Sequence, residues 1–365
     1  MQGSFRVVDC NRHVVEPLDL WSKNLGEPFR DQVNVQVDSG GSQVVVSGKV
    51  VTRLTGNLRS HPSYLKAFDA AVTGGFSAEL NLKDMDSEGI DVALLFPTTG
   101  LYVCWSDDID PVLAGALGVA YNNWLHEYCE IDPSRLKGVA LLPLQDPDAA
   151  AEELRRSVET LYFAGGLMRP NPIFGRRLYD HAYDPLYREA EALGVPIFIT
   201  GTVGTVLPEM GVDRFPSPFG RKAVGDPFEM WFAMLSLIGY DVFERFPDLK
   251  VGFIGAGCGW LPYWLDRIEE HWETGHGSDA PGLHSPRLQF ESHGFVAADP
   301  WENTLPEVIQ ESGLAVLVWG SRYPEPEVQH YFPHELDPVM NSSRLSAEEK
   351  ASILSNNASR FLHIS

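Results

Sequence analysis

The strongest constraint in this chain is a recurrence: eight short β-rich runs, each closing on polar or Gly/Pro residues and most followed by a helical stretch. The runs are Phe5 to Asp9, Val92 to Phe96, Gly138 to Leu142, Gly165 to Arg169, Pro196 to Thr200, Lys250 to Ile254, Leu288 to Glu291 and Ala315 to Trp319. Apolar residues at three- and four-residue spacing predict helices over Pro111 to Cys129, Asp148 to Leu161, Tyr183 to Leu193, Phe228 to Phe246 and Leu261 to Trp272. Alternating βα units imply an α/β fold with a parallel sheet. Eight of them in 365 residues imply closure into one (β/α)₈ TIM barrel spanning 1–365. An open doubly wound sheet competes, but it is expected to carry a Gly-rich phosphate turn after its first strand, where this chain has Asp9-Cys10-Asn11-Arg12-His13.

About 80 residues separate the first two runs. This insertion, about 28–82, contains VNVQVDSGGSQVVVSGKVV, which predicts a hairpin turning at Ser39-Gly40-Gly41. An insertion after a barrel strand lies at the C-terminal mouth, where it can wall an active site. The Gly/Pro-rich stretch Gly201 to Asp226 follows the fifth run and is placed to do the same.

The net charge of −22 repels polyanions and so argues against nucleic acid or an acidic membrane surface as partner. The expected partner is a small molecule. The opening MQGSFRVVDC lacks a charged stretch leading into a long apolar one, and no apolar run is long enough to span a bilayer. Cys10, Cys104, Cys129 and Cys258 form no CxxC pair, so neither a structural zinc site nor a disulfide framework is expected, and a cytoplasmic location suits them. Cys10 reads as a packing thiol, and His271, at the end of a helix, as structural.

VVDCNRHVVEPLDLW resembles the opening motif Asp-x-Asp-x-His-x-x-Glu-Pro of the amidohydrolase-related family that includes the aminocarboxymuconate-semialdehyde decarboxylases. The similarity continues through GLMRPNP, AYDPLYREAEALGVPIFI, FERFPDLKVGFIGAGCGWLPYWLDRIEEHWE and FVAADPWENTLPEVIQESG. VLVWGSRYPEPE stands in place of Trp-Gly-Ser-Asp-Tyr-Pro-His, and LSAEEKASILSNNASRFLHI matches the closing helix. The resemblance implies one divalent metal and, on family grounds, a homodimer. At the four metal-binding positions this chain places Asn11, His13, Thr200 and Arg322. Gly255 occupies the sixth-strand acid–base position, and Glu325 replaces the closing His.

A Zn, Mn or Fe centre takes anionic or imidazole donors at about 2.0–2.2 Å. Asn and Thr are weak donors, and a guanidinium cannot ligate. The sequence reading is therefore an enzyme with no cofactor, acting on a small organic acid or acyl compound by hydrolysis, decarboxylation or a related lyase or cyclisation step. His13 is its acid–base group, since an unperturbed imidazole titrates near neutrality. Arg322 is its carboxylate or oxyanion clamp, balanced by Glu16 or Glu325. Arg169 is expected to grip an anion or pair with an acid such as Glu16. His293 is placed after the seventh strand as a second acid–base or ligand residue, and Asn11, Thr200, Glu325 and Trp319 are expected to line the pocket. Two alternatives stand beside this reading. One is a metal-dependent hydrolase or decarboxylase whose remodelled ligands are His13 and His293 with Asn11 or Glu16. The other is a non-catalytic small-molecule binder.

Overall fold

The computed structural model describes residues 5–38, 41–54, 62–201, 210–211, 213–274 and 284–362. Eight parallel strand positions run round a barrel: β1 (Val8–His13), β5 (Val92–Phe96), a split third strand β6 (Leu136–Gly138) and β7 (Ala140–Leu141), β8 (Gly166–Met168), β9 (Ile197–Thr200), β10 (Val251–Ile254), β11 (Gly294–Ala298) and β12 (Leu317–Trp319). Strands β2 (Val33–Asp38), β3 (Gly41–Val46) and β4 (Lys49–Leu54) form a separate antiparallel sheet inside the insertion. The barrel is the expected TIM fold.

Every barrel strand is almost wholly buried, which explains why the runs read as continuous apolar stretches rather than alternating ones. Inside, Phe198 meets Phe96 and Phe295 edge to face, with centroids 5.2 and 5.8 Å apart. Gly252 makes room for them, since a Cβ there would lie 2.5 Å from the Phe295 ring. At the split, the Val139 N–H turns back to Leu95 O (3.2 Å) while the Ala140 N–H reaches forward to Gly165 O (2.9 Å). Asn122, on helix Pro111–Cys129, completes the third strand. Its amide oxygen accepts from Leu141 N (2.9 Å), and its NH₂ donates to Leu141 O (3.2 Å) and Glu153 Oε1 (2.6 Å).

The structure corrects several sequence expectations. The seventh strand is Gly294–Ala298, and Leu288 to Glu291 lies in helix Pro286–His293. There the Ser285 hydroxyl accepts from Leu288 N, and proline fills the first turn, a start signal that outweighs the short apolar run. The first strand runs on to His13 rather than stopping at Asp9. The helix expected at Phe228 to Phe246 starts at Pro218, capped by Ser217, carries Pro227 inside it and ends at Ile238; Val242–Arg245 is a separate turn. In the insertion, Val33 to Val46 pair as the expected hairpin, whose turn at Ser39 and Gly40 lies outside the described residues. A third strand joins through Ser47-Gly48, both at positive φ. Part of Gly201 to Asp226, namely 202–209 and 212, also lies outside them. No described helix is long and apolar enough to cross a membrane, and the four cysteines are free and buried.

Replacing Asn122 with Leu strands the buried N–H of Leu141, and an unpaired buried donor costs roughly 1–3 kcal/mol. Urea unfolding of Asn122→Leu is expected to show at least that loss; an unchanged midpoint would rule out this role for the amide.

Candidate active site

The barrel closes where β12 meets β1, and this seam carries the candidate site. Asp9 Oδ1 accepts from Asn11 N (3.0 Å) and Ser321 N (2.9 Å). Arg322 N donates to Asn11 O (2.7 Å), and His13 N donates to Tyr323 O (2.6 Å). A Cβ on Gly320 would sit 2.3 Å from Asn11 Cβ, so glycine is what lets the two segments approach. Arg322 sits at φ +59°, a region that side-chain-bearing residues seldom adopt. Its N–H bond to Asn11 and its carbonyl, which accepts from Glu325 N (2.8 Å), hold it there.

His13 and Asn11 point the same way from β1. His13 Nε2 lies 3.1 Å from Asn11 Oδ1 and Nδ1 lies 3.0 Å from the carbonyl oxygen of Pro97, the residue just after β5. Both ring nitrogens thus face oxygen acceptors, a pattern satisfied by the imidazolium with two donated bonds, or by the neutral ring only if the Asn11 amide presents its NH₂ to Nε2. The Asn11 NH₂ has no protein acceptor among the described residues. Thr200 ends β9 and is buried; its hydroxyl would lie 3.1 Å from a Cβ at Gly255, which has φ +85°. Thr200 and Gly255 thus fit as a pair.

Arg322 is buried and ion-paired, NH1 to Asp299 Oδ2 at 3.2 Å, with its guanidinium 5.6 Å from the Trp301 ring centroid. Burial disfavours the cation, but Asp299, Asp226, Glu327 and Glu325 together outweigh this and raise its pKa, so it is permanently charged. Asp299 follows directly on β11. Burial pushes its carboxyl up to about 6 against the pull of Arg322. Asp226, on helix Pro218–Ile238, is likewise pushed up to about 6 by burial, against Lys222 and Arg322. Glu325 is half-buried beside this cluster, and Lys222 pairs with Glu327.

Other expected site residues are committed elsewhere. Glu16 does not balance either arginine: its carboxylate accepts from Thr98 N, Thr99 N and Gly100 N at 2.9–3.0 Å, tying it to the turn after β5. Burial raises its pKa and those backbone donors oppose the rise. Arg169 pairs with Asp107 (2.5 Å) and donates to Trp105 O, Asn171 O and Pro172 O, so its guanidinium is spent on loop structure. His293 precedes β11, at the opposite end of the barrel from the mouth. It stacks on Phe243 at 4.2 Å and bonds Leu249 O, and burial lowers its pKa. Trp319 is fully buried at the end of β12. The sequence reading missed Asp299 because it placed the seventh strand too early; with β11 at Gly294–Ala298, Asp299 holds the position where barrel enzymes carry functional groups.

Asp299 yields a pH prediction. Its folded pKa lies above the ordinary value of about 3.9, so the stability it contributes is full below that value and lost as pH rises towards about 6. Asp299→Asn is fixed neutral. In urea unfolding its stability relative to wild type is expected to climb from pH 4 to 6 and then level off, whereas parallel curves would contradict the assignment.

The amidohydrolase family profile matches residues 8–364. A 2-amino-3-carboxymuconate-6-semialdehyde decarboxylase from Dictyostelium discoideum is 27% identical over 288 residues, covering 78% of this chain and 76% of its own. A gamma-resorcylate decarboxylase from Rhodococcus jostii is 42% identical over 242 residues, 57% of this chain and 66% of its own. Among solved structures, an amidohydrolase from Mycobacterium avium subsp. paratuberculosis superposes with TM-score 0.78 at 22% identity, over 99% of this chain and 100% of its own. A 5-carboxyvanillate decarboxylase from Novosphingobium aromaticivorans does so with TM-score 0.72 at 22% identity, over 99% and 97%, and was solved with bound manganese. A dihydroxybenzoic acid decarboxylase from Polaromonas sp., TM-score 0.70 at 19% identity over 99% and 97%, also holds manganese. These manganese-bearing barrels overturn the expectation of no cofactor: a metal belongs to this group of folds. The donors at the four positions that the sequence resemblance assigns to a metal do not by themselves fit such a centre. They offer one imidazole, one amide, one hydroxyl and a fixed cation, and among the described residues no three His, Cys, Asp or Glu side chains converge to hold an ion. Fold, profile and relatives agree that this chain belongs to the amidohydrolase family.

Proposed function

We propose that this chain is a carbon–carbon lyase of the amidohydrolase family that decarboxylates a small organic acid at the β12–β1 seam. The observation that carries this reading is the juxtaposition of His13 and Arg322 across the β12–β1 seam, in a chain whose relatives are decarboxylases. His13 Nδ1 lies 3.0 Å from Pro97 O, which orients the ring.

The remaining roles follow from the chain's own groups. Arg322, braced by Asp299, orients the substrate carboxylate through a charge-assisted bond; its Nε has no protein acceptor among the described residues. Asn11 NH₂ offers a neutral donor beside it. The bond from the carboxyl carbon to its neighbour breaks, CO₂ departs, and the electron pair left on the substrate carbon takes a proton. In this reading His13, as its imidazolium, delivers that proton and recovers it from water. Hydrolysis, the other family outcome, would call on the same imidazole.

The test is release of CO₂ from a panel of hydroxybenzoates in manganese-supplemented buffer. His13→Ala is expected to lose turnover by roughly 10²–10⁴-fold at unchanged circular dichroism. Arg322→Met is expected to raise KM, with a loss of roughly tenfold or more for a charge-assisted contact worth about 1.5–3 kcal/mol. Both variants retaining full turnover would refute these roles.

A further inference from the structure

On the outer side of β1, away from the mouth, three carboxyls gather about one guanidinium. Arg12 is fully buried. Its Nε donates to Asn81 Oδ1 (2.6 Å), its guanidinium lies 3.7 Å from the Tyr323 ring centroid, and NH1 is 3.6 Å from Asp9 Oδ2. Glu335 is also fully buried. Its backbone N–H donates to Glu88 Oε2 (2.8 Å), and its carboxyl faces that of Glu88 within hydrogen-bonding reach. No protein donor among the described residues reaches either Glu335 carboxyl oxygen or Glu88 Oε1.

Two facing carboxylates cannot both stay ionised in such a place. With Asp9, Glu88 and Glu335 all charged against Arg12, the pocket would carry two uncompensated negative charges; one proton removes one and supplies the hydrogen that the facing oxygens lack. His334, which precedes Glu335, is another titratable side chain near the pair, and it is exposed. Asp84 is occupied by Tyr323 Oη at 2.5 Å.

We propose that Glu335 is held as a neutral carboxylic acid sharing its proton with Glu88, and that this proton latches the segment after β12 to helix Ala78–Glu88. The segment is the one that carries Arg322 and Glu325. Further along it, Tyr323, Val328 and Phe332 pack on Tyr64 and Phe68 of the insertion, so the latched segment is held at the insertion as well. Burial raises the pKa of both glutamates, and charging Glu88 raises Glu335 further. Folding therefore takes up a proton at pH values above the ordinary glutamate range. The stability this proton confers is complete at low pH and is lost as pH rises.

The experiment compares wild type with Glu335→Gln, which keeps the size and a hydrogen-bond donor but cannot ionise. As pH rises above the ordinary glutamate range, urea unfolding is expected to show the folding constant of wild type falling relative to the variant, by up to about tenfold per pH unit while one proton is taken up on folding. Infrared spectroscopy at pH 8, where Asp299 and Asp226 are ionised, is expected to show a protonated-carboxyl band that the variant lacks. If Glu335→Gln does not fold, Glu88→Gln serves for assignment, since loss of the acceptor shifts the band. Parallel pH curves, or no protonated-carboxyl band in wild type, would overturn the proposal.

Discussion

The structure depends on how its last strand is joined to its first. A barrel exists only if β12 pairs with β1, and here the join is made largely beyond the strand end by three buried groups: the Asp9 carboxylate, bridging two backbone N–H groups, and the reciprocal bonds from Arg322 to Asn11 and from His13 to Tyr323. The same bonds set Arg322 in its left-handed conformation and aim Asn11 and His13. Closure of the fold and construction of the site are thus one event. The residues that serve it are small where the segments touch, as at Gly320, and polar where they must be locked.

Electrostatics at the mouth follow from that placement. A guanidinium fixed at this point must be balanced, and Asp299 comes within 3.2 Å from the neighbouring strand end, with Asp226 completing the field from a helix. Burial keeps both carboxyls near the boundary of ionisation, so the balance shifts over a modest range of acidity. On the other side of β1, Arg12 sits among three carboxyls. One strand therefore presents polar groups on both faces, which explains why its apolar signal in the sequence is interrupted after Val8.

Most of the fold was legible because six of the eight barrel strands are apolar runs bounded by turn residues, and helix Pro111–Cys129 matches its expected bounds. The seventh strand was misread because Leu288 to Glu291 resembles a strand locally, while in Gly294–Ala298 only Phe295 and Val296 carry β signal, flanked by glycine and two alanines. That single slip sent His293 to the wrong end of the barrel and hid Asp299. At the candidate site, His13, Asn11, Thr200 and Arg322 were singled out from the positions that the resemblance assigned them. What Glu16 and Arg169 bond to was not, because Thr98, Gly100 and Asp107 come to them only through tertiary folding. The Glu88–Glu335 pair, 247 residues apart, left no trace in local sequence at all.

The most direct measurement of the central claim follows carboxyl-labelled hydroxybenzoates by NMR with wild-type protein in manganese-supplemented D₂O. The account expects labelled CO₂ or bicarbonate to appear and one deuterium to enter the product at the carbon that lost its carboxyl group. Acids that bind at the mouth yet return unlabelled and unchanged across the panel would contradict it.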